Sequence, residues 1–315
     1  MKILKKIPFI SLLFTGWEFA FKGYPTHHYG YRLSQQSKII FHTFLNPIFA
    51  SKWFKILNSA DFSFIVKHRN RLYIKPFRPY ISIKWNKKQK VKVISDTYRF
   101  LKGKGDLFNQ LLTNDEGKII ARLQPNDSHE IILRLGYDYR FRKEGEMILF
   151  LESEQLGGRF ISVSFSFEEK EKDHWVCLIG CVQGHKINTE QYSSKLAQKL
   201  MFGQRPKALI TYAIQEFSRV LGCSAIYGVG NSIQSFHQKH AIHLPWLHNI
   251  NFDYDAFWQE VGGKSVDKGW FELPLIPLRK DMKDIKSKKR SMYRKRFNML
   301  DNLSENILNS IKTSN

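Results

Sequence analysis

Apolar positions change period along this chain, and the change predicts its elements. Over residues 107–161 they fall in short runs, GKIIARLQ, EIILRLGYDYRF, EGEMILFLES and GRFISVSFSFE, parted by Asn/Asp/Gly or Glu/Gly turns. That pattern predicts an antiparallel meander. Residues 175–182 form a wholly apolar run ending at Gln183-Gly184, as a buried strand does. The spacing then becomes helical. Tyr192, Leu196, Leu200 and Met201 follow a cap at Asn188 or Thr189, and a turn at 202–205 leads to Pro206, suited to the first turn of a second helix. Leu209, Tyr212, Ala213, Phe217 and Val220 give that helix one buried face, and Gly222 stops it. Residues 223–229 predict a second buried strand, closed by Gly228-Val229-Gly230-Asn231. A strand, a helical crossover and a strand require a parallel or mixed arrangement. A helix over 252–261 and a closing strand within GGKSVDKGWFELPLIPL complete the pattern. The predicted class is α+β: a mixed, largely antiparallel sheet flanked by helices.

The flanks read differently. Residues 1–60 predict a helical extension, 61–278 the mixed α/β domain, and 279–315 a basic helix or tail. The first segment, MKILKKIPFISLLFTGWEFAF, has the charged and apolar parts of an export signal but no small-x-small cleavage site. Its apolar run is also short of a membrane span. An amphipathic helix, docked on the domain or touching a membrane surface, is the reading, with an atypical export signal as the alternative. In 67–104, basic residues interleave with Tyr73, Phe77, Tyr80, Trp85 and Tyr98. This predicts either a strand at 80–85 with a basic outer face or an aromatic surface for bases or lipid.

Charge narrows the partners. The 315 residues carry 50 basic against 28 acidic side chains, a formal charge of +22. Anionic partners follow, whether nucleic acid, acidic lipid headgroups, lipopolysaccharide or a phosphorylated cofactor, although lysine-rich codon usage gives the same balance. No helix-turn-helix, zinc finger or other module for sequence-specific nucleic-acid recognition accompanies the charge. The segment KDIKSKKRSMYRKRF, which the sheet is not expected to bury, could lie on an anionic membrane. Cys177 and Cys181 share a strand face but stand about 13 Å apart at ~3.3 Å per residue, too far to bridge. Three buried free thiols are expected, which suits a reducing compartment. The predicted location is cytoplasmic or inner-membrane-associated, with the periplasm as the alternative. His27 and His28, and the His240, His243, His248 run, lack the converging carboxylate or thiolate partners of a metal site.

The segments IGCVQG, GQRPKALI and AIYGVGN, preceded by YRFRKEGEMILFLE, resemble the VirK/YbjX family of enteric bacteria and its virulence-plasmid members. The resemblance covers about residues 61–278. It implies a virulence-associated accessory factor that supports production or correct envelope localisation of a surface protein, with that protein as client. It implies no biochemical activity.

The order of elements is also similar to that of the acyl-CoA-dependent N-acetyltransferases, which bind pyrophosphate at a Gly/Arg-rich helix start. On that alternative Gly203, Arg205 and Lys207 of GQRPK would hold acyl-CoA for transfer to an amine. Here a whole helix separates the strand from that turn, and Pro206 removes one N–H donor. The candidate catalytic residues sit at strand ends and turns: Glu144, Gln183, His185, Asn231 and His237. Each residue type is also an ordinary terminator or turn former.

Overall fold

A computed structural model describes residues 8–113, 116–184, 194–235 and 252–313. Its contacts divide the chain into two units. Met1–Pro79 with Asn86–Val91 forms one, and Tyr80–Trp85 with Lys92–Asn315 forms the other.

The first unit is helical. Helices α1 (Pro8–Lys22), α2 (Tyr29–Leu45), α3 (Pro47–Leu57) and α4 (Ala60–His68) follow in close order. Pro47 begins α3 at a position where its missing N–H costs nothing. Gly16 of α1 brings the backbone against Phe54 of α3, since a Cβ there would lie 3.3 Å from the ring. Phe19, Phe54 and Tyr73 stack beside it, and the buried Trp53 indole donates to the Tyr73 carbonyl at 2.9 Å.

The second unit is built on one sheet. Helices α5 (Lys87–Lys102, whose first turn counts with the other unit) and α6 (Asp106–Thr113) lead into it. Strands β1 (Lys118–Asn126), β2 (His129–Gly136), β3 (Met147–Ser153), β4 (Gly158–Glu171) and β5 (His174–Gly184) form the antiparallel meander. After α7 (Ser194–Leu200) and α8 (Pro206–Val220), strand β6 (Ala225–Val229) pairs parallel to β5. Helix α9 (Tyr254–Glu260), β7 (Lys264–Val266) and β8 (Trp270–Leu273) follow, with β8 lying between β6 and β7. The predicted mixed, largely antiparallel sheet is therefore present. Its interior is apolar: Phe165, Phe167 and Phe217 are fully buried and in edge contact. Thr97 fixes α5 to β4, its hydroxyl donating to the Phe167 carbonyl at 3.1 Å and accepting from the Phe167 N–H at 2.9 Å.

One expectation is corrected. Residues 80–85 are not a strand with a basic face. Ile81 has φ of 47°, which interrupts extended backbone, and Tyr80, Ile81 and Ser82 are buried. Among the described residues the Ser82–Gln234 bridge is the one β-bridge made there, and the following lysines enter α5. The basic C-terminal segment takes the helical of its two expected forms. It forms α10 (Ser287–Lys312), whose second half buries Met299, Leu300, Leu303, Ile307 and Ile311. Those residues recur every three or four positions, so one stripe packs on β1 and α8.

Candidate functional site

The two central parallel strands pair only from Val176 to Ile179 and from Ala225 to Gly228. Beyond Ile179, strand β5 runs on to Gly184 without β6 beside it. Its register against β4 also shifts there. Ile179 faces Phe165 and Cys181 faces Ser164, so Gly180 is the extra residue of a bulge. Glycine is required at that point, because a Cβ on Gly180 would stand 1.9 Å from the Glu144 carbonyl oxygen.

Tyr254 of α9 fills the gap. Its hydroxyl accepts from the Val182 N–H at 3.2 Å and donates to the Val182 carbonyl at 3.4 Å. Burial, then the neighbouring Cys181 and Glu144, push this phenol well above its usual range. Burial and Glu144 do the same to the Cys181 thiol. Both stay protonated at neutral pH, so neither is a ready nucleophile. Asn231, in the turn after β6, binds the start of α9: its side chain donates to Asp253 at 2.7 Å and accepts from the Tyr254 N–H at 2.9 Å. Its own N–H donates to Asp255 at 2.7 Å.

The turn before α8 has two positive-φ residues, Phe202 at 52° and Gly203 at 77°. They end α7, with the Gly203 N–H donating to the Gln198 carbonyl at 2.8 Å. Arg296 of α10 braces the turn from outside, donating to the Phe202 carbonyl at 3.0 and 2.8 Å. Arg205 caps α8 and pairs with Glu260 of α9, both side chains half-exposed. Lys207 lies with its ammonium 3.2 Å from the centre of the Phe252 ring, and burial and Arg205 lower its pKa to about 8.

Cavities flank this turn. One of about 440 Å³ opens at Gln204 and Ala208, walled by Tyr212, Arg279, Arg296 and Phe297 among others. The other, about 420 Å³, meets Phe202 and Gly203 and carries Lys195 and Lys199. Arg279 is held at its cavity by Asp301 at 2.6 Å and by the Tyr212 hydroxyl at 2.8 Å.

The candidates thus separate. Glu144, behind Gly180, and Asn231, bonded from the turn after β6 to the start of α9, gather round Tyr254, whereas Gln183 is exposed at the end of β5. Gly203, Arg205 and Lys207 form a second locality at the start of α8. His185 and His237 lie outside the described residues, as do His240, His243 and His248. Among the described residues no group of His, Cys, Asp and Glu is arranged to hold a metal ion, and no helix is long and apolar enough to cross a membrane. The three cysteines are free and buried. Tyr254, Glu260 and Arg296 escaped the sequence reading, because each acts through a partner distant in the chain.

These features define an α+β protein with a bulged, parallel-paired centre and a cavity-flanked, cation-rich turn. The chain belongs to the VirK/YbjX family: residues 30–309 match the family described as "Protein of unknown function (DUF535)". It is 27% identical over 275 residues to "Uncharacterized protein YbjX" of Escherichia coli strain K12, covering 86% of this chain and 82% of the relative. Two uncharacterized proteins of Haemophilus influenzae are 34% identical over 149 residues (47% of each chain) and 35% identical over 128 residues (41% of each). No solved structure matches.

Proposed function

We propose that this protein is a virulence-associated accessory factor that works at an anionic surface of the bacterial envelope and supports production or correct localisation of a surface protein. The surface-protein role rests on the family resemblance. The physical support is the division of labour within α10. Its second half is anchored in the domain, while Lys288, Lys289, Arg290, Arg294 and Lys295 of its first half are exposed. Cations held this way attract acidic headgroups without unfolding anything. The test is a charge-reversal variant, Lys288→Glu with Lys289→Glu and Arg294→Glu, expressed in a strain lacking the wild-type gene. Surface display of the client should fall while the variant's abundance and melting temperature hold. Undiminished display would remove the reading.

A second reading, acyl transfer from acyl-CoA to an amine, draws support from the strand order and from the cavities beside Gly203. The exposed Arg205–Glu260 pair is worth little and could yield Arg205 to a phosphate. Thermal-shift titration with acetyl-CoA and longer acyl-CoAs, with ATP as a polyanion control, tests it. Stabilisation specific to CoA and lost in Arg205→Ala supports transfer. An equal shift with ATP, or none, rejects it.

A further inference from the structure

Exposed apolar side chains among the described residues are concentrated in the helical first unit. Among the described residues, thirteen large hydrophobic side chains are exposed, and eleven of them belong to this unit. They are patterned. On α2, Leu33, Phe41, Phe44 and Leu45 fall within one third of the helix circumference, and Ile48 continues the patch across the Asn46-Pro47 corner into α3. Phe41, Phe44, Leu45 and Ile48 are 60%, 62%, 56% and 75% exposed. Phe9 of α1 joins them, its ring 6.1 Å from that of Phe44. The opposite face of α2 holds the buried Gln35, Gln36, Ile39 and Thr43, so the exposed stripe is not a misplaced core.

The charge around the patch chooses its occupant. The first unit contains 16 lysines and arginines against two carboxylates, Glu18 and Asp61. Lys38, Lys52 and Lys55 are exposed on the same two helices as the patch. Lys87 reaches the corner itself and donates to Asn46 at 2.9 Å. The field there is strong enough that Arg78 and Lys87 help burial hold His42 below its ordinary pKa. A second copy of this chain would bring like charge against like. Bases stack on flat aromatic faces, whereas half of this corner is aliphatic. Exposed Phe, Leu and Ile beside lysines match the boundary between acyl chains and acidic headgroups.

We propose that the α2–α3 corner inserts into the headgroup boundary of an anionic bilayer, with Phe41, Phe44, Leu45 and Ile48 as the wedge and the surrounding lysines on acidic lipid. This deepens the envelope reading, which by itself requires only the cations of α10. It adds an apolar anchor at a defined place, so attachment persists when salt screens the charges.

The experiment is flotation of the full chain with phosphatidylethanolamine vesicles, with and without phosphatidylglycerol, at low and high salt. Wild type should float with the phosphatidylglycerol vesicles and retain part of that binding at high salt. Phe41→Ser with Phe44→Ser should lower partitioning roughly tenfold or more and abolish the salt-resistant fraction. Lys52→Glu with Lys55→Glu should lose mainly the salt-sensitive fraction. All are surface changes, and unchanged circular dichroism confirms folding. If the double serine variant floats like wild type while the α10 charge-reversal variant does not, the wedge is overturned and the envelope reading stands. If wild type binds no vesicle, both fall. If the double serine variant instead turns an oligomer into a monomer without vesicle binding in any form, the patch is a self-association surface and the proposal is wrong.

Discussion

Replacing Gly180 with alanine tests the centre of the fold. The added Cβ would lie 1.9 Å from the Glu144 carbonyl oxygen and 2.7 Å from its carbonyl carbon, where real contacts stay beyond 3.0 Å. The strand and the Glu144 turn must therefore part by about 1 Å. Both sides of the contact are backbone, so no side chain can swing away. Gly145 restricts the same turn from its other side, because a Cβ there would come within 2.6 Å of the Phe165 carbonyl oxygen. Overpacking of this kind costs about 3 kcal/mol, and the stiffer unfolded chain returns less than ~1 kcal/mol. A net loss of about 2 kcal/mol is a large share of the stability of an ordinary domain, ~5–15 kcal/mol. Gly184→Ala is the control four residues along the same strand, since its nearest neighbour, the Phe160 carbonyl oxygen, is 3.9 Å away. Urea denaturation followed by far-ultraviolet circular dichroism should separate the two variants clearly, with Gly184→Ala at or above wild type. Coincident midpoints would refute the close crossing of the Glu144 turn over β5.

The remaining expectations concern side chains round the two localities. Asn231→Ala removes two hydrogen bonds between the turn after β6 and the start of α9 and should cost about 1–2 kcal/mol, read from the same denaturation curves; an unchanged midpoint would show that α9 is held by packing alone. Burial raises the Cys177 thiol to about 12 and Cys181 and Cys223 also well above their ordinary value, so a thiol reagent at pH 8 should label all three slowly until denaturant is added. Immediate reaction of any one would contradict its burial. Lys207 has a folded pKa of about 8 against an ordinary 10.5, so the unfolded chain binds the extra proton between those values and stability should rise with pH across that window. The rise is moderated by the lysine's partial exposure, and Lys207→Met should flatten it. Identical pH dependence in the two proteins would exclude the shift.

The sheet was legible because its strands are bounded by local signals: Asn/Asp/Gly turns in the meander, Pro206 opening α8, and Gly222 at φ of 85° closing it. The parallel pairing of β5 and β6 followed from the helix between them. What escaped the pattern was set by distant partners. Alternation at 80–85 imitates a strand, but the Ile81 N–H goes to the Lys143 carbonyl at 2.6 Å and the Ile83 N–H to the Ile233 carbonyl at 2.8 Å. The basic start of α10 similarly hid the apolar stripe that anchors its end. The bulge at Gly180 has no local signature beyond the glycine itself.

The same physics separates the residues that resembled a site from the surfaces left open for binding. Catalysis favours Glu, Asn, Gly and Arg at strand ends and helix starts, and so do turns and caps, so sequence alone cannot distinguish these uses. Partners can. Glu144 is buried where its backbone crosses Gly180, Asn231 is committed to Asp253 and Tyr254, and Gly203 ends α7. Folding alone gives Asn231 and Gly203 structural roles. It does not account for exposed phenylalanines at the α2–α3 corner, which lower solubility, or for exposed cations along the first half of α10, which repel one another. Each feature carries a cost that an acidic, partly apolar surface would offset. These two surfaces are therefore where the proposed envelope role is tested first.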